Sequence, residues 1–218
     1  MADAGIHRGV ALALSLAALL AVSGCKKGEE IPGDPARFDP VENFAAVQAY
    51  VGSEWGLVSM SASEMRLDGT LDLTTKEHKP NAQYHFEAEA APPKDAPPPG
   101  SSGSSSDGRW HGSVAVSLHR KGTSWHVSER GGNVNREYTL ITRGMLATDP
   151  KVESGAPQPV VPAPKCKFGE LWKQVDPGTL PAHAVVDGRY GAQGYEIRDG
   201  VNSVSYWFDF DCRPKPEG

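Results

Sequence analysis

Three histidines, His111, His119 and His126, recur along the amphipathic stretch from Trp110 to Val127 on the alternation phase opposite the tryptophans. Read as a hairpin turning at Lys121-Gly122, this stretch sets Leu118 opposite Trp125 and Val116 opposite Val127, and it places His119 diagonally across from His126. Such neighbours lie about 7 Å apart at the backbone, a spacing from which two imidazoles can share a zinc ion. His111 sits too far along the strand to be a third ligand, and no carboxylate stands ready to orient the rings. Polar side chains on a wet sheet face explain the pattern more simply, so neither a metal nor another cofactor is expected. Asp209 and Asp211 put two carboxylates on one face of the last apolar segment, with Trp207 between neighbours. A cation or a sugar could meet that face, although acids on the outward side are also what solubility demands, and Glu87 and Glu89 show the same pattern. Trp207, Asp209 and Asp211 are the candidate partner-binding residues. No G-x-S-x-G, H-E-x-x-H, phosphate-loop, EF-hand or dinucleotide pattern occurs, so no catalytic residue is assigned and a non-enzymatic protein is expected.

The cysteines speak to location. Val22-Ser23-Gly24-Cys25 follows an apolar run, Val10 to Val22, behind a short segment carrying Arg8. The run falls short of the roughly 20 residues a spanning helix needs, and Lys26-Lys27 follows at once. This arrangement resembles the lipobox of bacterial lipoproteins. The resemblance implies that residues 1–24 are a leader, that Cys25 is lipidated after the cut, and that the mature chain is anchored in the cell envelope facing the periplasm. Lys26 occupies the position that, by similarity to enterobacterial lipoproteins, permits release to the outer membrane. Cys166 and Cys212 then remain as an even pair in an oxidising compartment. They are expected to form a disulfide that stabilises the C-terminal segment by about 4 kcal/mol on chain-entropy grounds. No C-x-x-C spacing supports a metal or redox pair.

With 22 basic and 27 acidic residues the net charge is -5, and no basic stripe appears. Nucleic acid is therefore not an expected partner. Eighteen prolines and 24 glycines cluster rather than scatter, which points to tethers and inserts around smaller folded parts. Residues 25–38 read as a membrane tether, residues 92–108 as a disordered Pro/Ser/Gly insert within a domain spanning 39–148, and residues 149–165 as a proline-rich linker before a disulfide-closed unit over 166–218.

Within those parts, Asp39-Pro40 should cap a helix carrying Phe44, Val47 and Val51, with Gly52 as its stop. Strands are expected at Val58–Ala62, Leu71–Leu73 and Tyr84–Ala88, and a strand or a helical turn at Glu137–Ile141. Phe168, Leu171, Trp172 and Val175 share a helical face that ends at Asp176-Pro177-Gly178. Strands follow at Ala184–Val186, Gly194–Ile197 and Val204–Phe210. Helix Phe44–Gln48 aligns with Phe168–Trp172, Leu71–Leu73 with Tyr195–Ile197, and residues 82–89 with 204–211, an internal repeat of helix and three-strand meander. The architecture is similar to the helix-plus-meander repeats of PepSY domains and of the beta-lactamase inhibitor protein type, a likeness without a diagnostic motif. The expected fold is α+β, two small units, each a helix packed on an antiparallel meander. The expected role is non-catalytic binding or scaffolding of an envelope protein or polymer. An inhibitor or immunity-like role against a secreted or periplasmic enzyme is the first alternative, and a metal protein or enzyme using His119 and His126 the second.

Overall fold

Alternation of apolar and polar side chains is the strongest local signal in the chain, and strands dominate the result. The computed structural model describes residues 28–96, 108–131, 134–175, 180–181 and 183–216, with the backbone alone for 125–140. The strands are β1 (Glu29–Glu30), β2 (Gly56–Arg66), β3 (Asn81–Glu89), β4 (Trp110–Leu118), β5 (Ser124–Gly131), β6 (Val134–Ile141), β7 (Gly144–Ala147), β8 (Lys151–Ser154), β9 (Val185–Gly191), β10 (Gly194–Asp199), β11 (Val204–Phe208) and β12 (Pro214–Lys215). Two short helices, α1 (Phe44–Val51) and α2 (Phe168–Gln174), and a 3-10 turn at Pro35–Arg37 complete the described elements. Ten strands form one antiparallel sheet in the order β1-β7-β4-β3-β2-β9-β10-β11-β12, with β8 paired to β4 beyond the end of β7.

The expectation of two separate helix-plus-meander units is overturned by the pairing of β2 with β9. Met60 faces Tyr190, Ser61 faces Arg189 and Ala62 faces Gly188, and after a bulge Met65 faces Val186. The ladder therefore runs unbroken from one segment into the other, and the protein is sheet-dominated. The physical reason is that each meander alone would leave its first strand with an unpaired edge. Helices of eight and seven residues are also too short to cover an apolar sheet face each. The order of helix followed by meander does occur twice, but the aligned sequences fall on different elements. Residues 82–89 lie in the second strand of their meander and 204–208 in the third. Leu71 makes only an isolated bridge to Phe38, whereas Tyr195–Ile197 lies within β10.

Register explains the core. Val116, Tyr84, Met60, Tyr190, Tyr195 and Phe208 form one transverse row on the covered face; Leu118, Ala82, Ala62, Gly188, Ile197 and Tyr206 form the next. Phe44 of α1 stands 6.4 Å from both Tyr84 and Phe86. Phe168 of α2 meets Tyr195 edge-on at 6.0 Å, and Trp172 meets Tyr206 at 5.7 Å. Gly188 leaves the space that the Phe168 ring fills. Side chains of this size stabilise a fold by about 1.5–3 kcal/mol each when fully buried, and here they belong to one continuous cluster reaching from Phe38 to Phe208.

The helix starts meet. The Asp39 carboxylate accepts hydrogen bonds from the Val41 and Glu42 backbone N–H groups, so a turn precedes the regular helix at Phe44. Lys167, just before α2, donates to Glu42 at 2.7 Å and lies 3.8 Å from Asp39. Gly69 (φ 83°) and Gly169 lie so close that a Cβ on either would overlap the other turn's backbone. Cys166 and Cys212 form the expected disulfide, with Cα atoms 5.7 Å apart.

Much of what composition marks as linker is built into the fold. Of the stretch read as tether, Glu29 and Glu30 pair with Met145 and Gly144, and Ile31 and Phe38 are buried in the core. Of the stretch read as a second linker, Lys151–Ser154 pairs with β4, Val161 is buried and donates its N–H to Leu57, and Tyr190 donates its hydroxyl to Pro162. The Tyr195 hydroxyl accepts from the Lys165 and Cys166 N–H groups. The leader, Cys25, residues 97–107 of the expected insert and Asp176-Pro177-Gly178 lie outside the described residues. Among the described residues no helix is long and apolar enough to cross a membrane.

Candidate functional site

The sheet face opposite the helices carries the polar phase of strands β4, β3, β2, β9, β10 and β11. Ser117, Gln83, Ser61, Arg189, Glu196, Trp207 and Lys215 succeed one another across it in register. Most are small or polar and only half-buried. Trp207 is the large aromatic of this row. It lines a shallow cleft of about 350 Å³ together with Ser59, Ser61, Arg189, Gln193 and Glu196. Glu196 is held in place by Ser205, which donates its hydroxyl at 2.8 Å, and lies 3.9 Å from Arg189. Lys215 donates to the Gln193 carbonyl at 2.7 Å, pinning the β9–β10 turn against β12. The cleft thus offers a flat apolar ring beside a guanidinium, two hydroxyls and a carboxylate, a set suited to stacking and hydrogen bonding.

The acids proposed alongside Trp207 lie just beyond β11 and shape the turn. Asp209 accepts from the backbone N–H groups of Asp211 and Arg213, and Asp211 receives Lys165 Nζ at 2.8 Å. That hydrogen bond with its charge lowers the Asp211 pKa and raises that of Lys165. Asp209 is half-buried and Asp211 exposed, and both already serve the loop that carries Cys212.

The β4–β5 hairpin register that would set His119 diagonally across from His126 does not form. β4 is paired on one side with β3 and on the other with β7 and β8, which leaves no edge for β5. Leu118 faces Ala82 and Met145, and Val116 faces Tyr84 and Ala147. β5 pairs instead with β6, placing Trp125 opposite Leu140, Val127 opposite Tyr138 and His126 opposite Thr139. The segment Glu137–Ile141 is therefore strand. His119 is half-buried, and burial lowers its pKa; the side chain of His126 lies outside the described residues.

A different acid–histidine group does assemble. Glu87 is buried at 2% exposure despite sitting on the polar phase of β3. One of its oxygens accepts the Gln158 N–H at 2.6 Å and the other the Gln158 amide at 3.1 Å. His85 and His111 point Nε2 at the same carboxylate from 3.6 and 3.9 Å, beyond hydrogen-bond length. His111 Nδ1 lies 3.2 Å from the Gly155 carbonyl and so donates to it. The group fastens residues 155–158 across the corner of the open face. The signal His85-x-Glu87 is visible in the sequence, but the burial comes from Gln158, 71 residues away. Among the described residues no three His, Cys, Asp or Glu side chains are arranged to hold a metal ion.

No family model matches the chain, and neither does any curated protein or solved structure.

Proposed function

We propose that the chain is an envelope lipoprotein, held to the membrane through Cys25, whose open sheet face binds a protein or polymer of the envelope without catalysing a reaction. The carrying observation is Trp207, set half-exposed in a polar row beside the Ser59–Arg189–Glu196 cleft while its strand neighbours are committed to the core. Indole rings placed this way account for a large share of binding energy in recognition surfaces.

Affinity capture from the envelope fraction of its own organism, using the mature oxidised chain and its Trp207→Ala variant, tests this. The variant should lose the partner while keeping its melting temperature, since the ring lies outside the core cluster. Equal retention by both proteins refutes this face as the binding surface. A stoichiometric complex with one secreted or periplasmic enzyme would assign the inhibitor role, and recovery of polymer alone the scaffolding one.

A further inference from the structure

The cleft lined by Trp207 carries polar side chains with hydrogen-bonding capacity to spare. The Trp207 indole N–H, the Arg189 guanidinium, the Gln193 side-chain amide and the Ser59 and Ser61 hydroxyls bond to no other described residue. Glu196 gives one oxygen to the Ser205 hydroxyl at 2.8 Å, and its second faces Arg189 at 3.9 Å, beyond hydrogen-bond length. By contrast, Glu87 and Asp187 on the same face are engaged: Gln158 donates to both oxygens of Glu87, and Asp187 accepts the Glu64 N–H.

Charge and shape define what such a cleft accepts. Arg189 and Glu196 bring opposite charges together, and Lys215 beyond Trp207 is spent on the Gln193 carbonyl, so a neutral ligand is favoured over an ion. The broad apolar surface is one flat ring, since Met60 and Tyr190, which also border the cleft, are buried in the core. A peptide binds a folded domain through an apolar anchor in a deep pocket or as a strand added to a free edge. Neither is offered here, because β2, β9, β10 and β11 each have a partner strand on both sides. A pyranose presents the converse, one face of C–H groups to lie on an aromatic ring and a rim of hydroxyls that each donate and accept. The cleft answers that rim with donors in Trp207 and Arg189, an acceptor in Glu196, and groups of both kinds in Gln193, Ser59 and Ser61.

We infer that the Trp207 cleft binds a neutral glycan, one pyranose stacked on the indole with its hydroxyls bridging Arg189 and Glu196. The polar row continues from Arg189 through Ser61 and Gln83 to Ser117, three strand spacings or about 14 Å, so further sugars of the same chain lie across β2, β3 and β4. This inference rests on the open face being the binding surface, and it narrows the partner from protein or polymer to carbohydrate.

The test is titration of the mature, oxidised, isotope-labelled chain with neutral tetrasaccharides: chitotetraose, cellotetraose, maltotetraose and mannotetraose. At millimolar sugar at least one should shift the Trp207 indole N–H resonance, identified by its loss in Trp207→Ala, and leave that of buried Trp172 in place. Calorimetry should show affinity for that sugar falling about tenfold or more in Trp207→Ala and in Arg189→Ala, with melting temperatures unchanged. Trp207→Phe, which keeps a flat ring, should retain more affinity than Trp207→Ala. No shift from any of the sugars overturns the inference, as does equal affinity in the wild type and Trp207→Ala. Capture from the envelope separates the glycan from the face. A protein retained through Trp207 with no sugar bound overturns the glycan alone and leaves the open face as the binding surface, whereas retention that ignores Trp207→Ala, with no sugar bound, overturns both.

Discussion

Replacing Ile197 by alanine tests whether the C-terminal strands and the N-terminal half share one cooperative core. Ile197 is fully buried in β10, between Gly188 of β9 and Tyr206 of β11. The substitution removes three carbons, worth about 2.4 kcal/mol at ~0.8 kcal/mol each. Because Gly188 offers no side chain to fill the gap, a cavity adds to the loss, and the total should be about 3 kcal/mol, within the range seen for buried Ile→Ala changes. At a urea dependence of about 2 kcal/mol/M the midpoint falls by about 1.5 M. The decisive readout is hydrogen exchange at Tyr84 and Phe86 in β3, three strands away across β9 and β2. In one cooperative unit their protection tracks global stability and should fall by the same 3 kcal/mol, about 150-fold in exchange rate. If β10 and β11 lose protection while β3 exchanges at its wild-type rate, the halves open independently and the argument for a single core is wrong.

Reduction of Cys166–Cys212, or replacement of both by serine, should cost about 4 kcal/mol for its 46-residue separation. Calorimetry should then show a melting temperature lower by roughly 8–16 °C, and a change of only a degree or two would mean that other contacts hold the loop closed. Gly169→Ala should destabilise by about 1–3 kcal/mol, because the new Cβ overlaps the Asp68 carbonyl; urea titration showing a gain, as helix preference alone would give, refutes the close approach. Stability should also depend on pH in three steps. Burial lowers the His119 pKa from 6.5, so the unfolded chain takes up that proton first, and stability declines as pH falls below about 6.5 toward the folded value. The Thr74 hydroxyl outweighs burial at Asp72, and at Asp68 burial is outweighed by Thr70 and Arg37 together, so both lie below 3.8 and their contribution is lost as pH falls through the folded values. Burial raises Tyr84 and Tyr190 above 10.0, so stability falls again as pH climbs past 10. A melting temperature flat between neutrality and strong acid refutes the acid part of this profile.

Local pattern carried the strands well and their partners poorly. Tyr84 and Phe86, Val114 to Leu118, and Tyr195 to Ile197 alternate as half-buried strands do, and the structure buries those faces. Phe168, Leu171 and Trp172 likewise fall on one buried helical face, and evenness together with compartment pointed to the disulfide. Pairing is a different matter, since an alternating strand fits any neighbour with the same phase. The Lys121-Gly122 turn made β4 and β5 look like a hairpin, but β3 and β7 compete for the same ladder and win both edges. The β2–β9 pair joins residues 119 to 130 apart, a separation invisible to local reading, and it is what turns two expected units into one sheet. Composition misled at the linkers for a similar reason. Proline-rich backbone is extended, and extended backbone can lie along a sheet as easily as leave it. Val161 and Gln158 do the former, and Gln158 buries Glu87, which alternation alone places in water. Trp207 was legible as an aromatic on the wrong phase; its cleft was not, because Ser59 and Arg189 reach it from strands that only the β2–β9 pairing brings together.

The strand order β1 to β12 ends on both sides in strands of two residues, Glu29–Glu30 and Pro214–Lys215, with β8 forming the rest of the rim beside β7. A wide antiparallel sheet is a template on which further chains can grow, and the danger sits at its rims. Here one rim presents two carboxylates, and the other begins with proline, which has no N–H to offer a newcomer. Each cap is too short to seed another ladder and covers the strand inside it, Gly144-Met145 on one side and Trp207-Phe208 on the other. A newcomer meets carboxylates at the one cap and a missing donor at the other, so neither two-residue strand offers a ladder that a second copy could extend.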